Sequence, residues 1–183
     1  MPQAAISPAP AEPLVVVVMG VSGSGKSTLG ALLAEKLDCP FLEGDSFHSP
    51  EAVAKMRSGH PLTDEDRWPW LDRLGAALGD EARAGGRVVA ACSALRRVYR
   101  ERLAAASGLA PHFVLLDNNP DEILRRLVDR PGHYMPPSLL ESQLATLERP
   151  HADELALALR TDVPAEELRD NVLQWLETPP AAK

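Results

Sequence analysis

The chain has 183 residues, of which 45% are apolar and 25% charged, so one globular domain with a packed core is expected. Its net charge of −7 argues against nucleic-acid binding, which depends on Lys and Arg side chains neutralising phosphates. Cys39 and Cys92 form neither a CxxC pair nor a zinc-spaced cluster with histidine, and are expected to be small reduced side chains in the interior.

No stretch of the sequence approaches the roughly 18 apolar residues that a membrane span requires. The first thirteen residues, MPQAAISPAPAEP, contain four prolines and no basic residue, unlike a signal peptide. Residues 1–13 and 179–183 are therefore predicted to be flexible tails on a single domain, residues 14–178, and the protein is expected in the cytoplasm.

Apolar runs and amphipathic segments alternate along the predicted domain. This alternation predicts an α/β fold with a parallel sheet and helices on both faces. The predicted strands are residues 14–19, 40–43, 87–92, 112–116 and 154–159, the last of them weak. The predicted helices are residues 27–37, 50–57, 71–83, 94–106, 120–130, 138–147 and 164–176.

The turn after the first strand, residues 20–27, reads GVSGSGKS and matches G-x-x-x-x-G-K-S. Such a loop wraps a triphosphate with backbone N–H groups, and the following helix points its positive N-terminus at the phosphates. Lys26 adds a charge for the β- and γ-phosphates, and the Ser27 hydroxyl can ligate Mg²⁺. The alternatives are a tight glycine turn, or a loop that binds nucleotide without transferring phosphate. The predicted ATP-binding residues here are Gly20, Ser22, Gly23, Ser24, Gly25, Lys26, Ser27 and Thr28.

Phosphoryl transfer to an alcohol also needs a group that takes or orients the hydroxyl proton. Asp45 lies just past the second strand, at the sheet edge where ligands of such folds bind, and is the predicted base. His48 could hydrogen-bond substrate hydroxyls. A turn or capping aspartate and a surface histidine are the alternatives.

Residues 61–71, PLTDEDRWPWL, are the densest group of charges and aromatic rings. Thr63 and Asp66 could form a capping box. Pro69 would then fall in the second helical turn, where its ring and missing N–H are costly, and Trp68 before it also disfavours helix. The helix is therefore predicted to begin between Asp66 and Pro69.

That start leaves Asp64, Glu65 and Arg67 on a loop with their charges available. Arg67 is suited to clamp a carboxylate in bidentate fashion. A solvated charged loop is the alternative.

Arg125, Arg126 and Arg130 cluster at the end of one predicted helix, before Pro131-Gly132. Arginines on a hinged segment can close over phosphates and exclude water, which predicts a mobile lid at about residues 126–137. The alternative is cations at a helix C-terminus, with Glu122 pairing Arg126.

Taken together, these segments resemble the gluconokinases, which belong to the small P-loop sugar-acid and shikimate kinases. The resemblance extends over roughly residues 15–170. Its matching segments are 19–29, 43–48, 55–59, 61–71, 92–103 (CSALRRVYRERL), 130–135 (RPGHYM) and 138–150 (SLLESQLATLERP).

The resemblance implies a nucleoside-monophosphate-kinase-like P-loop fold with a five-stranded parallel sheet and a mobile lid. It implies ATP- and Mg²⁺-dependent transfer of the γ-phosphoryl group to D-gluconate, giving 6-phosphogluconate, with a homodimer left open. It implies that Lys26, Asp45 and Arg130 are catalytic and that Arg126 binds nucleotide. The substrate-binding residues that it implies are Asp45, His48, Lys55, Arg67, Arg96 and His133.

The sequence departs from the family's pattern at three places. Ala52 stands where the family has asparagine, and the fifth strand reads ALRTD at residues 158–162 instead of ending in a V-V-D-like run. No Walker B aspartate ends the third strand, which leaves Mg²⁺ to Ser27, phosphates and waters, or to these with Asp45. A shikimate- or nucleoside-monophosphate-type kinase and a non-catalytic ATP-binding protein are the alternative functions.

Overall fold

The computed structural model describes residues 11–129 and 138–178, and within them strands and helices alternate. A 3₁₀ helix, Gly44–Phe47, follows the second strand. The elements are β1 (Leu14–Met19), α1 (Lys26–Leu37), β2 (Phe41–Glu43), α2 (Pro50–Arg57), α3 (Asp64–Gly85), β3 (Arg87–Ala91), α4 (Arg97–Ser107), β4 (His112–Asp117), α5 (Pro120–Val128), α6 (Ser138–Thr146), β5 (Ala156–Arg160) and α7 (Ala165–Glu177).

The strands form one five-stranded sheet in the order β2-β3-β1-β4-β5, and every pairing is parallel. The predicted five-stranded parallel sheet is confirmed. Parallel strands place their carboxyl ends at one edge, so the segments following β1, β2, β3 and β4 meet there. The phosphate-loop motif and Asp45 are two of these segments.

Helices cover both faces of the sheet, as predicted. On one face, Val15, Val17 and Met19 of β1 pack with residues of α3 and α4. On the other face, Val16 and Val18 pack with residues of α1 and α7. The continuous apolar run of β1 is explained by this burial on both sides.

Helix α3 begins at Asp64, so the prediction of a start between Asp66 and Pro69 is wrong. A capping box sets the start: the Thr63 hydroxyl accepts a hydrogen bond from the Asp66 N–H at 3.2 Å. The Asp66 carboxylate accepts one from the Thr63 N–H at 2.8 Å. Pro69 is tolerated inside the helix, where it removes the single backbone bond to the Glu65 carbonyl.

A buried arginine fixes the segment between β3 and α4. Arg100 is 2% exposed and makes two hydrogen bonds to the Glu154 carboxylate, at 2.7 and 3.1 Å. It also donates to the carbonyl of Ala94 at 2.9 Å. Ala94 has a left-handed φ of 45°, and α4 begins at Arg97 rather than at the predicted residue 94.

Several predictions concern residues outside the two described ranges. Most of the predicted lid, including Arg130 and His133, lies outside the described residues, as do residues 1–10 and 179–183 of the predicted tails. Within the described ranges, the helices are too short or too polar to cross a membrane.

Candidate active site

A cleft lies at the carboxyl ends of the strands, where the phosphate loop, the 3₁₀ helix, α3 and α6 meet. Five of the predicted site residues line it together: Ser22, Lys26, Asp45, His48 and Arg67. The sequence separates them by up to 45 positions, and the sheet edge and α3 bring them to one place. The cleft therefore joins the phosphate-loop motif to the residues that are predicted to hold the acceptor.

The phosphate loop has the backbone that its glycines allow. Gly20, Gly23 and Gly25 have φ values of 145°, 80° and 96°, a region that other residues rarely adopt. Gly25 is the N-cap of α1, and none of the described side chains caps it. The first N–H groups of the helix are thus directed at the loop, an arrangement suited to binding an anion.

Lys26 lies at the start of α1, and its Nζ donates to the carbonyl of Val21 at 2.9 Å. Burial lowers the pKa of Lys26 below its ordinary value, while the charges of Asp45 and Glu43 oppose that shift. The cation is therefore held across the loop within electrostatic range of the predicted base.

Glu43, at the end of β2, accepts a hydrogen bond from the hydroxyl of Ser27. A hydroxyl and a carboxylate oxygen are ligands that Mg²⁺ prefers, so this pair fits a cation shared with nucleotide phosphates. In the described part of the chain, no cluster of three or more His, Cys, Asp or Glu residues could hold a metal by itself. Sequence reasoning missed Glu43, although the same strand-end rule that selected Asp45 applies to it.

Cys92 follows β3 where a Walker B aspartate would stand. The side chain is buried, and burial raises the pKa of the thiol to about 12. It is therefore a neutral thiol at pH 7, as the expectation of a reduced interior cysteine requires, and no anionic metal ligand ends this strand.

The 3₁₀ helix that carries Asp45 is held at both ends by α3. Trp70 Nε1 donates to the carbonyl of Gly44 at 2.8 Å, and Arg73 donates to the carbonyl of Phe47 at 2.7 and 3.1 Å. Gly44 itself sits so close to β3 that an added Cβ would lie 2.2 Å from the carbonyl oxygen of Ala91. The Asp45 side chain, 49% exposed, faces the cleft from this fixed support.

His48 is enclosed beside Asp45, the predicted base. Its ring stacks on Trp70 with centroids 4.0 Å apart, and its Nε2 lies 4.0 Å from Asp45 Oδ1. Burial lowers the pKa of His48 to about 4; Asp45 opposes this shift, and the charges of Arg67 and Arg73 reinforce it. The ring is neutral at pH 7, and its buried Nδ1 has no hydrogen-bond partner among the described residues.

Arg67 lies in the first turn of α3 and not on a loop. Its guanidinium carbon is 5.1 Å from the centroid of the Tyr99 ring, within the range of a cation–π contact. Its Nε is buried and, within the described ranges, unpartnered. An oriented guanidinium with an unsatisfied donor in a cleft can bind an anionic ligand.

The other charges that were predicted to lie on a loop are engaged within the protein. The Asp64 carboxylate accepts a hydrogen bond from the Tyr99 hydroxyl at 2.6 Å and another from Arg96 at 2.7 Å. The Tyr99 bond and the nearby guanidinium of Arg96 lower the pKa of Asp64. Arg96 also donates to Glu148 at 3.1 Å, which links α3 to the segment after α6.

Lys55 forms an ion pair with Asp66 at 2.6 Å, which is the first cause of a lowering of the Asp66 pKa to about 2. Neither Lys55 nor Arg96 is among the described residues that line the cleft. Their predicted contact with the acceptor stays a prediction.

Arg126 pairs with Glu122 one turn earlier on α5, as the alternative to a nucleotide role anticipated. This pair does not test whether Arg126 binds nucleotide. The predicted positions of Arg130 and His133 lie outside the described residues.

Helix α6 supplies a cleft wall that sequence reasoning did not anticipate. Gln143 Oε1 accepts a hydrogen bond from the backbone N–H of Ser22, in the phosphate loop, at 2.6 Å. Ser142 and Thr146 line the cleft on the same helix. The sequence predicted a helix over residues 138–147 but not its contacts, since no local pattern shows what a polar face contacts.

Comparison with known proteins places this site in a family. A family model described as an AAA domain matches residues 15–150. The gluconokinase of Gluconobacter oxydans is 47% identical over 161 residues, covering 86% of this chain and 90% of that protein. A gluconokinase structure from Sinorhizobium meliloti 1021 is 42% identical with a TM-score of 0.72, covering 91% of this chain and 98% of that one.

A second solved structure, an unliganded sugar kinase from Janibacter sp. HTCC2649, is 46% identical with a TM-score of 0.85. It covers 92% of this chain and 97% of its own. The phosphate loop, the parallel sheet and these similarities agree, and the chain belongs to the gluconokinase family of P-loop kinases.

Proposed function

We propose that this protein transfers the γ-phosphoryl group of ATP to the terminal hydroxyl of D-gluconate and releases 6-phosphogluconate and ADP. The proposal rests on one observation above all: the phosphate-loop cation Lys26, the carboxylate of Asp45 and the guanidinium of Arg67 line a single cleft. The names and identities of the relatives support the same acceptor.

Each side chain has a task that follows from its surroundings. Asp45 accepts the proton of the attacking hydroxyl, and its exposed position at the end of β2 leaves it accessible to the acceptor. Lys26 stabilises the charge that develops on the transferred group. Arg67 pairs with the carboxylate of the sugar acid, and neutral His48 can both donate to and accept from a hydroxyl.

The divalent cation in this proposal is Mg²⁺, held by Ser27 with Glu43 beside it. When bound, Mg²⁺ would neutralise phosphate charge. Backbone N–H groups of the phosphate loop and of the first turn of α1 hold the phosphates, and we assign Arg126 and Arg130 to the nucleotide side and His133 to the acceptor side. The cytoplasm is the proposed location.

A panel of acceptors tests the activity. The purified protein is incubated with ATP, Mg²⁺ and D-gluconate, shikimate or a nucleoside monophosphate, and ADP release is followed by a coupled assay. We expect ADP with D-gluconate and a product whose phosphate is on the terminal carbon. ADP formed with shikimate or a nucleotide but not with D-gluconate would overturn the proposal, and no ADP with any acceptor would favour a non-catalytic ATP-binding protein.

The role of Asp45 is tested separately. Asp45→Asn should lower kcat about 100-fold or more, as expected for loss of a general base, without changing ATP affinity. Asp80→Asn, an exposed aspartate on α3, is the matched control and should behave like the wild type. Wild-type turnover in Asp45→Asn would show that Asp45 is not the general base.

A further inference from the structure

The acceptor assigned above carries a chain of secondary hydroxyl groups between its carboxylate and its reacting end. Each hydroxyl that loses water without gaining a partner costs about 1–3 kcal/mol. In the proposed function, Asp45 and Arg67 contact the two ends of the molecule, and His48 contacts one hydroxyl. Lys55 and Arg96 are held in ion pairs away from the cleft lining that the structure describes. The middle of the acceptor therefore needs other polar partners.

Helix α6 offers them on one face. Leu139, Ser142, Gln143 and Thr146 occupy positions i, i+3, i+4 and i+7, so they project from the same side of the helix, and all four line the cleft. Leu140 belongs to the core beneath the sheet face that α3 and α4 cover. The apolar side thus anchors α6, and its polar side forms a wall of the cleft.

The polar groups on this wall have defined orientations. The bond from the Ser22 N–H fixes the Gln143 side-chain amide at the junction between the phosphate loop and the acceptor cleft. The Thr146 hydroxyl donates its hydrogen to the Ser142 carbonyl at 2.8 Å, so that its oxygen is left as an acceptor. Oriented amide and hydroxyl groups, with no net charge, suit the hydroxyls of a polyol.

We propose that Ser142, Gln143 and Thr146 form a subsite for the secondary hydroxyls of the sugar acid, and that Gln143 is its main specificity-determining residue. The identity of the acceptor rests on the proposed function. The subsite would distinguish sugar acids that share a carboxylate and a terminal hydroxyl and differ only in the hydroxyls between them.

The test uses D-gluconate and a set of deoxy acids, each lacking one secondary hydroxyl. For the wild type, removal of the hydroxyl that Gln143 contacts should raise KM about tenfold, the effect of one lost hydrogen bond. Gln143→Leu, which removes the amide and leaves an apolar side chain, should raise KM for D-gluconate about tenfold. It should also abolish the difference between D-gluconate and that deoxy acid, while the Kd for ATP stays within about twofold.

Glu141→Ala, an exposed position on the same helix, is the control and should keep the wild-type preference. Wild-type discrimination among the deoxy acids in Gln143→Leu would overturn the proposal. A Kd for ATP that rises more than KM for D-gluconate would also overturn it, because Gln143 would then serve the nucleotide through Ser22.

A second variant covers the case in which Gln143→Leu lowers the thermal midpoint. Ser142→Ala removes one hydroxyl and should reduce discrimination at a single secondary hydroxyl of the acid; unchanged discrimination would contradict the subsite. If the wild type phosphorylates a different hydroxy acid and not D-gluconate, the proposed function fails. The same variants assayed with deoxy forms of that acid then decide the subsite independently.

Discussion

Replacing Gly44 with alanine should displace Asp45, the proposed base, and leave the rest of the site unchanged. The new Cβ would lie 2.2 Å from the carbonyl oxygen of Ala91, whereas ordinary contact begins at 3.4 Å. The obstacle is backbone of a buried strand, so the 3₁₀ helix must move away by about 1 Å. A displacement of that size at a reacting group costs about 100-fold in rate.

The displaced residue is Asp45, which follows Gly44 directly, while the phosphate loop is on another segment. We therefore expect kcat to fall about 100-fold with the Kd for ATP within about twofold. Overpacking should also cost about 1–3 kcal/mol of stability. A coupled ADP assay, ATP titration calorimetry and urea unfolding measure the three quantities, with the assay run well below the thermal midpoint.

Gly85→Ala is the matched control, because no atom of the described residues, apart from its chain neighbours and the backbone of its own helix, lies within 4 Å of a Cβ built there. It should leave kcat and ATP affinity unchanged. A kcat for Gly44→Ala within about threefold of the wild type would refute the reasoning, since the close approach to Ala91 would then not determine where the base lies. An equal loss of ATP affinity would place the disturbance in the phosphate loop.

Three further predictions concern the charges of the cleft. Lys26→Met should lower kcat at least about 100-fold in the ADP assay, because a preorganised charge on the transferred group is lost; near-normal turnover would exclude the phosphate assignment. Arg67→Lys should raise KM for D-gluconate about tenfold with little effect on KM for ATP, because an ammonium cannot reproduce the planar fork over Tyr99; a larger effect on ATP would move Arg67 to the nucleotide side. His48, with its pKa lowered to about 4, stabilises the fold fully only above its ordinary pKa of 6.5, and this contribution is lost as pH falls from 6.5 through 4. In urea unfolding, the wild type should therefore lose about 2 kcal/mol more than His48→Leu between pH 7 and pH 5, and equal losses would contradict the buried neutral ring.

Local signals were sufficient for the features that depend on neighbouring residues. The glycine-rich loop, the apolar run of β1 and the Ser49-Pro50 start of α2 each have a short-range cause, and all were predicted. The sheet also followed, because alternating strands and helices leave few other arrangements.

The start of α3 shows where a local rule fails. A prediction that gives the cost of Pro69 more weight than the capping box of Thr63 and Asp66 starts the helix too late. The additional stabilisation of the first turn comes from Arg96, which precedes α4, and Tyr99, in its first turn; they bind Asp64 across 32 and 35 positions of sequence. Tertiary contacts of this kind cannot be inferred from a segment in isolation.

The residues of the site fall into the same two groups, those that local sequence predicts and those that depend on tertiary contacts. Side chains that follow strand ends could be predicted, since the sheet edge gathers them irrespective of detail. Gln143 could not, because it reaches the Ser22 N–H across 121 positions of sequence. Nor could the ion pairs that engage Lys55 and Arg96, since a lone basic residue gives no indication of its partner.

Helix α3 carries Arg67 in its first turn. Further along the same helix, Trp70 and Arg73 hydrogen-bond to the two ends of the short helix that bears Asp45. Helix α3 thus sets the positions of both groups that would engage opposite ends of the acceptor. The distance between Asp45 and Arg67 is therefore set by the backbone. A longer or shorter acid would have to bend, or lose its contact with one of the two residues. A change in preferred chain length would then require shifting α3 as a whole, which exchanging individual cleft side chains does not achieve.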